Sequence, residues 1–146
     1  VIYNHHLLPI FAGDWEGGGM YARVEERHLR QLAETVQTQP IDSVIIVAGD
    51  FNIPRRTVLY KDFLIHSGLT DLLAGDTKPT LRIPFGVVSH FPLSVDYVFV
   101  RIPEKYSFKI DCDLCFTKKY LMDDGRQIYL SDHHGVEIFM TATSKG

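Results

Sequence analysis

Five consecutive apolar residues, Val44-Ile45-Ile46-Val47-Ala48, run directly into Gly49-Asp50-Phe51-Asn52. A short apolar run rich in β-branched side chains and bounded by polar residues reads as a strand. Because it is unbroken rather than alternating, it reads as a strand buried on both faces. A chain containing such a strand has to build layers around it. Asp50 and Asn52 then stand where the strand leaves the sheet, at a rim. Two readings of that position compete: an Asx-turn, in which the carboxylate only shapes the chain reversal, and a site that presents polar groups on a rigid post.

The remaining elements follow from periodicity and turn residues. "VIYNHHLL" at the start reads as a strand and "FAGDWEGGG" as a loop. Apolar residues at Met20, Val24, Leu29, Leu32 and Val36 predict a helix from Met20 to about Gln39, ended by Pro40. A short helix from Leu59 to about His66 is closed by Gly68, and the Pro-containing connection from Thr70 to Ser94 reads as irregular. "VDYVFVR" is a strand, "KIDCDLCFTKKYL" is one strand or two, Asp124-Gly125 marks a turn, and "GVEIFMTAT" is a final strand. The order β-α-β-α-loop-β-β-β predicts a layered α/β or α+β domain. No linker divides the 146 residues.

Composition excludes some classes of function. Hydrophobic residues make up 45% and charged residues 23%, a globular balance, and no apolar run approaches the roughly 20 residues of a membrane helix. The net charge is -3 and the basic residues are scattered, with Arg23, Arg27 and Arg30 on one helix and an Arg55-Arg56 pair. That does not make the basic stripe of a long-duplex binder. The helix arginines, alternating with Glu25, Glu26 and Glu34, read as a solvated face. Cys112 and Cys115 spell C-x-x-C in a strand-like segment, without a second cysteine pair for zinc, and read as plain reduced thiols.

Three aspartates recur at strand boundaries: Asp50 after the buried strand, Asp96 opening "DYVFV", and Asp132 just before the last strand. A sheet can bring all three to one rim. Carboxylates gathered there without matching Lys or Arg repel one another, and a hard cation such as Mg²⁺ relieves the repulsion through oxygen ligands. Such an ion supports phosphoryl chemistry by stabilising developing charge. His133 follows Asp132, and Asp96 nearby would hold one ring nitrogen and fix the tautomer. His5 and His6 are neighbours on a strand and point to opposite faces, so at most one faces that rim. His28, His66 and His90 read as ordinary helix or loop residues.

Taken together, "NHHL", "AGDFN", "VDYVFV" and "LSDHHG", in this order from Val1 to about residue 140, resemble the closing half of the endonuclease/exonuclease/phosphatase superfamily. The resemblance implies half of a deoxyribonuclease-I-like four-layer β-sandwich, with a mainly antiparallel or mixed sheet and helices on one face. It implies a phosphoesterase that uses Mg²⁺ or Mn²⁺ and activated water. His6 would contact the scissile phosphate, with His5 as the alternative. Asp50 would orient or deprotonate the attacking water and share the metal. Asn52 would hold phosphate or metal, and Asp132 would be a metal ligand. Asp96 would orient His133, and His133 would serve as general acid/base or stabilise the transition state. His134 receives no role. Asp132-His133-His134 also spells the signature of a different phosphoesterase class, whose upstream aspartate motifs are not seen in matching form.

The family's first half supplies a further Asn and the glutamate that is its principal metal ligand. Glu16, Glu25 and Glu26 lie in the wrong order to replace it. The expectation is therefore a single domain, 1–146, that forms the C-terminal portion of a larger one, with the N-terminal half or a second copy of the chain covering an apolar sheet face. The expected partner is a phosphate ester, with substrate choice in the loops Phe11–Gly19 and Thr77–Ser94. The competing expectation is a non-catalytic interaction module that keeps the fold.

Overall fold

The computed structural model describes residues 1–9, 15, 17–75, 78–82 and 94–143. Most of the two loops expected to govern substrate choice, together with His90, lie outside the described residues.

Strand β1 (Ile2–His6), helix α1 (Met20–Gln37) and strand β2 (Ile45–Asp50) form a β-α-β unit, with β1 and β2 parallel. Residues 29, 32, 33 and 36 of α1 share a face, and Leu29, Leu32, Ala33 and Val36 are buried there. The helix stops short of Gln39. The Gln39 amide donates to the Val36 carbonyl, tightening the last turn ahead of Pro40. Helix α2 (Val58–Ser67) starts where the Thr57 hydroxyl accepts the Tyr60 amide at 3.4 Å and ends at Gly68 in the left-handed conformation, φ 66°. Strands β3 (Thr70–Asp71) and β4 (Asp96–Arg101) complete a mixed sheet ordered β1-β2-β4-β3, in which β4 is antiparallel to both neighbours.

Strand β5 (Phe108–Cys115) pairs with β8 (Gly135–Ala142) as a separate two-stranded sheet, and β8 lies against β4. Between them, β6 (Tyr120–Leu121) and β7 (Gln127–Ile128) form a hairpin around the predicted Asp124-Gly125 turn, closed by the Met122 amide on the Arg126 carbonyl. Cys112 and Cys115 both lie on β5.

The apolar run of β2 is not buried on both faces. Ile45 and Val47 are fully buried, whereas Ile46 and Ala48 are half-buried. The pairing explains the alternation. Val47 sits beside Tyr3 on one side and Phe99 on the other, and this face holds the core against both helices. Ile46 and Ala48 share the other face with Val100 and Val98, which are buried, and with Ile2, which is 73% exposed. A run of apolar residues records that both faces avoid charge, not what packs on each.

The core is aromatic at the end of the sheet that carries Asp50. Phe51 is fully buried, 5.0 Å from Phe99 and 5.6 Å from both Tyr97 and Phe63 between ring centroids. Truncating such a ring costs about 3–5 kcal/mol. Phe51 therefore pins the chain between Asp50 and Asn52. Two charged residues are inside, among them Glu25 of the helix face expected to be solvated. Glu25 is fully buried on α1, and burial raises the pKa of its carboxyl group. Arg55 is buried against Asp71, 2.9 Å away.

Candidate active site

Strand register assembles most of the site before any side chain is considered. His6 of β1 is opposite Asp50 of β2 in the parallel pair, and Asp50 is opposite Asp96 of β4 in the antiparallel pair. Three neighbouring strands thus carry His6, Asp50 and Asp96 in one row. Residues paired this way point to the same face, here the one opposite the helices. The fourth member, His133, comes from the loop that leads into β8.

The ring of His133 joins the row at two points. Its Nδ1 lies 2.8 Å from Asp96 Oδ2, and its Nε2 lies 3.8 Å from Asp50 Oδ2. A carboxylate only accepts, so Nδ1 carries the proton and donates it to Asp96, and Nε2 faces Asp50. The Nε2 of His6 is 3.7 Å from the same Asp50 oxygen. Both of these separations are too long for a hydrogen bond and leave room for a small group between imidazole and carboxylate. His5 points the other way. Its ring packs edge-on against Phe51 at 5.6 Å and its Nε2 is buried. Burial, then His28 and His6, lower the pKa of His5. Of the two neighbouring histidines, the structure brings His6 to the rim.

Asp50 satisfies both readings of its position. Its Oδ1 accepts the Asn52 amide at 2.8 Å, an Asx-turn, while Oδ2 faces the imidazoles. Asn52 takes the left-handed conformation, φ 50°, which asparagine tolerates. Its side-chain amide donates to the Leu7 carbonyl at 2.8 Å, and its own carbonyl accepts from the Trp15 indole at 3.1 Å. Asn52 therefore ties the end of β1 to the end of β2. Gly49 permits that closeness. Its φ is +145°, and a Cβ there would lie 1.8 Å from the His5 carbonyl oxygen.

The electrostatics are those of a crowded acidic site. Burial raises the pKa of Asp50, the Asn52 amide opposes it, and the Asp96 charge adds to the rise. For His133, burial disfavours the cation. The Asp96 hydrogen bond and the charges of Asp96, Asp50 and Asp132 outweigh it, so the pKa is raised. Among the described residues, the ion-pair partners of Asp50 and Asp96 are histidines, with no Lys or Arg at either carboxylate.

Asp50, Asp96 and His133 each offer an atom within 4.8 Å of the others, a grouping compatible with a metal ion. Asp132 is exposed and outside that grouping, although close enough to raise the pKa of His133. The donor set suits a hard cation, because carboxylates lacking a Lys or Arg counter-ion gain most from one. The segment around Thr80 and Arg82, which holds the His133 loop, falls in the stretch expected to govern substrate choice, and no positioning role was expected of it. It lies in the Pro-containing stretch that carries no periodic signal.

The sequence profile of the Endonuclease/Exonuclease/phosphatase family matches residues 3–133, and the chain belongs to that family. Solved structures with the same fold include beta toxin 275-280 from Staphylococcus aureus, 21% identical over 97% of this chain and 51% of that one, with a TM-score of 0.60. Danio rerio TDP2 complexed with a single-strand DNA product is 18% identical over 95% of this chain and 54% of that one, TM-score 0.63. A mannosyl-6-phosphatase from Bacteroides thetaiotaomicron is 19% identical over 96% of this chain and 50% of that one, TM-score 0.59. The chain spans about half the length of each of these structures. A beta toxin mutant among the fold relatives was solved with bound magnesium ions. Among curated proteins no sequence matches the chain.

Proposed function

We propose that the chain carries the catalytic rim of a divalent-metal-dependent phosphoesterase. The observation that supports this reading best is the convergence of His6 and His133, from a strand and a distant loop, on one Asp50 oxygen, with Asp96 holding the other nitrogen of the His133 ring. The kinds of substrate acted on by the fold relatives are consistent with it.

In this reading Asp50 accepts a proton from the attacking water as its oxygen bonds to phosphorus. Its raised pKa favours proton uptake. The ester P–O bond breaks, and His133 delivers the Nε2 proton to the leaving oxygen. Asp96 keeps the ring oriented and stabilises its charged form, which the raised pKa of His133 favours. His6 binds a phosphate oxygen from the opposite side. Asn52 sets the separation of the His6 and Asp50 strands. A Mg²⁺ or Mn²⁺ ion held at the carboxylates of Asp50 and Asp96 would neutralise charge on the phosphoryl group.

The half-covered sheet face at Ile2, Ile46 and Ala48 supports a further part of the proposal: another segment or a second copy of the chain completes that face. The test of the activity is turnover of bis-p-nitrophenyl phosphate as Mg²⁺ is titrated. Metal-dependent turnover that falls by at least about 100-fold in Asp50→Ala and His133→Ala supports the enzyme. Turnover indifferent to both substitutions refutes it, and none under any metal condition favours the interaction module.

A further inference from the structure

The proposed site spans two sheets. Asp50 and Asp96 stand on the mixed sheet, whereas His133 belongs to the loop entering β8 of the other. A hydrogen bond of 2.8 Å between Asp96 and His133 requires that the sheets be held in fixed register. Among the described residues, one short segment, residues 80–82, touches both partners.

At one end of the segment Thr80 is fully buried. Its hydroxyl oxygen accepts two backbone amides at the start of β4, Val95 at 2.9 Å and Asp96 itself at 3.0 Å. Its carbonyl accepts the His134 amide at 2.7 Å, and Leu81 forms an antiparallel bridge with His133. Beyond the bridge, the Arg82 amide donates to the Asp132 carbonyl at 2.6 Å. The guanidinium then gathers the loop. One terminal nitrogen donates to the carbonyls of Ser131 and of His133, the latter at 2.7 Å. The other reaches the Phe116 carbonyl at 2.6 Å and the His134 Nδ1 at 2.8 Å. The guanidinium carbon lies 3.9 Å from the centre of the Tyr129 ring.

This is an unusual way to use an arginine. Among the described residues none of its hydrogen-bond partners is a carboxylate. Four donors in a planar fork converge instead on three carbonyls and a ring nitrogen from two separate stretches of chain, Phe116 and residues 131–134. Only a guanidinium offers that many donors in fixed directions; a lysine head offers a point charge with rotating donors. His134 must be unprotonated at Nδ1 to accept.

We propose that Arg82 is a positioning residue: by clamping the 131–134 loop to the Thr80–Asp96 junction, it fixes the His133 imidazole on the Asp96 carboxylate. The consequence for turnover rests on the phosphoesterase reading, but the geometry does not, so the two are tested separately.

The test uses ¹⁵N-labelled full chain without metal at about pH 6, where the imidazolium is populated. The readout is the downfield His133 Nδ1 proton held by Asp96, identified by its loss in Asp96→Asn. Arg82→Ala and Arg82→Lys are compared after circular dichroism and thermal melting show that each is folded. The expected result is loss of that signal to exchange with water in both variants, with the backbone spectrum of the mixed sheet unchanged. If Arg82→Ala does not fold, Arg82→Lys decides alone. A signal that persists in a folded variant at wild-type position and intensity overturns the proposal. In the bis-p-nitrophenyl phosphate assay, Arg82→Lys is expected to lower kcat by about 100-fold with KM unchanged, the effect of a displaced catalytic group. Wild-type protein without turnover counts against the phosphoesterase reading alone, because the proton signal still decides the positioning role.

Discussion

Replacing Arg55 by Met tests how the turn after Asp50 is held down. Arg55 and Asp71 are 2.9 Å apart, with side chains only 7% and 1% exposed. The modest value of a surface ion pair, up to about 1 kcal/mol, therefore does not apply. Removing one partner of a buried pair leaves the other charge uncompensated and costs about 3–5 kcal/mol. Here the stranded Asp71 keeps two donors, the Tyr60 hydroxyl at 2.9 Å and the Leu73 amide at 2.8 Å. The loss should accordingly fall at the low end, about 3 kcal/mol. For a domain of this size that corresponds to a fall in Tm of about 6–12 °C. Urea unfolding with an unchanged m-value measures it directly. The double variant Arg55→Met/Asp71→Leu removes both charges and should return to within about 1 kcal/mol of the wild type. A single-variant loss below about 1 kcal/mol, or a double variant no better than the single, would refute the view that the pair is desolvated and coupled.

Three further outcomes follow from the site. Gly49→Ala puts a Cβ 1.8 Å from the His5 carbonyl oxygen at a positive φ; it should cost about 3 kcal/mol or more and expose β1 to amide exchange, and near-neutral stability would contradict the close approach. Asp96→Asn should destabilise more at about pH 6 than at about pH 9. The raised pKa of His133 gives stability that is present below its unfolded value of about 6.5 and lost as pH rises through the folded value; equal losses at both pH values would refute the ion-pair assignment. Asp50→Asn should stabilise the chain near neutral pH by about 0.5–2 kcal/mol while abolishing turnover. A carboxyl whose folded pKa is raised favours the folded state only below its unfolded value, and that contribution is lost as pH rises through the folded one; destabilisation at neutral pH would count against it.

The row His6–Asp50–Asp96 was legible because strand boundaries and a period of two are local signals. Once β1, β2 and β4 pair, register alone aligns the three positions. The choice between His5 and His6 could be narrowed to one, but only the burial of Phe51 beneath His5 shows which. Burial on both faces of β2 was over-read because apolar identity does not reveal what lies above a sheet. Glu25 was misread for a related reason. Charge patterns along a helix or loop predict solvation, and only tertiary packing discloses a buried ion. Thr80 and Arg82 left no signal, since their partners stand up to 52 positions away in a segment without periodicity.

The central claim is that Asp50, Asp96 and His133 form one cation-binding phosphoesterase rim. It is tested most directly by adding substoichiometric Mn²⁺ to ¹⁵N-labelled protein and mapping paramagnetic broadening. Broadening should centre on the amides of Asp50, Asn52, Asp96 and His133 and be abolished by Asp50→Asn. Broadening centred elsewhere, or unchanged in that variant, would contradict the account.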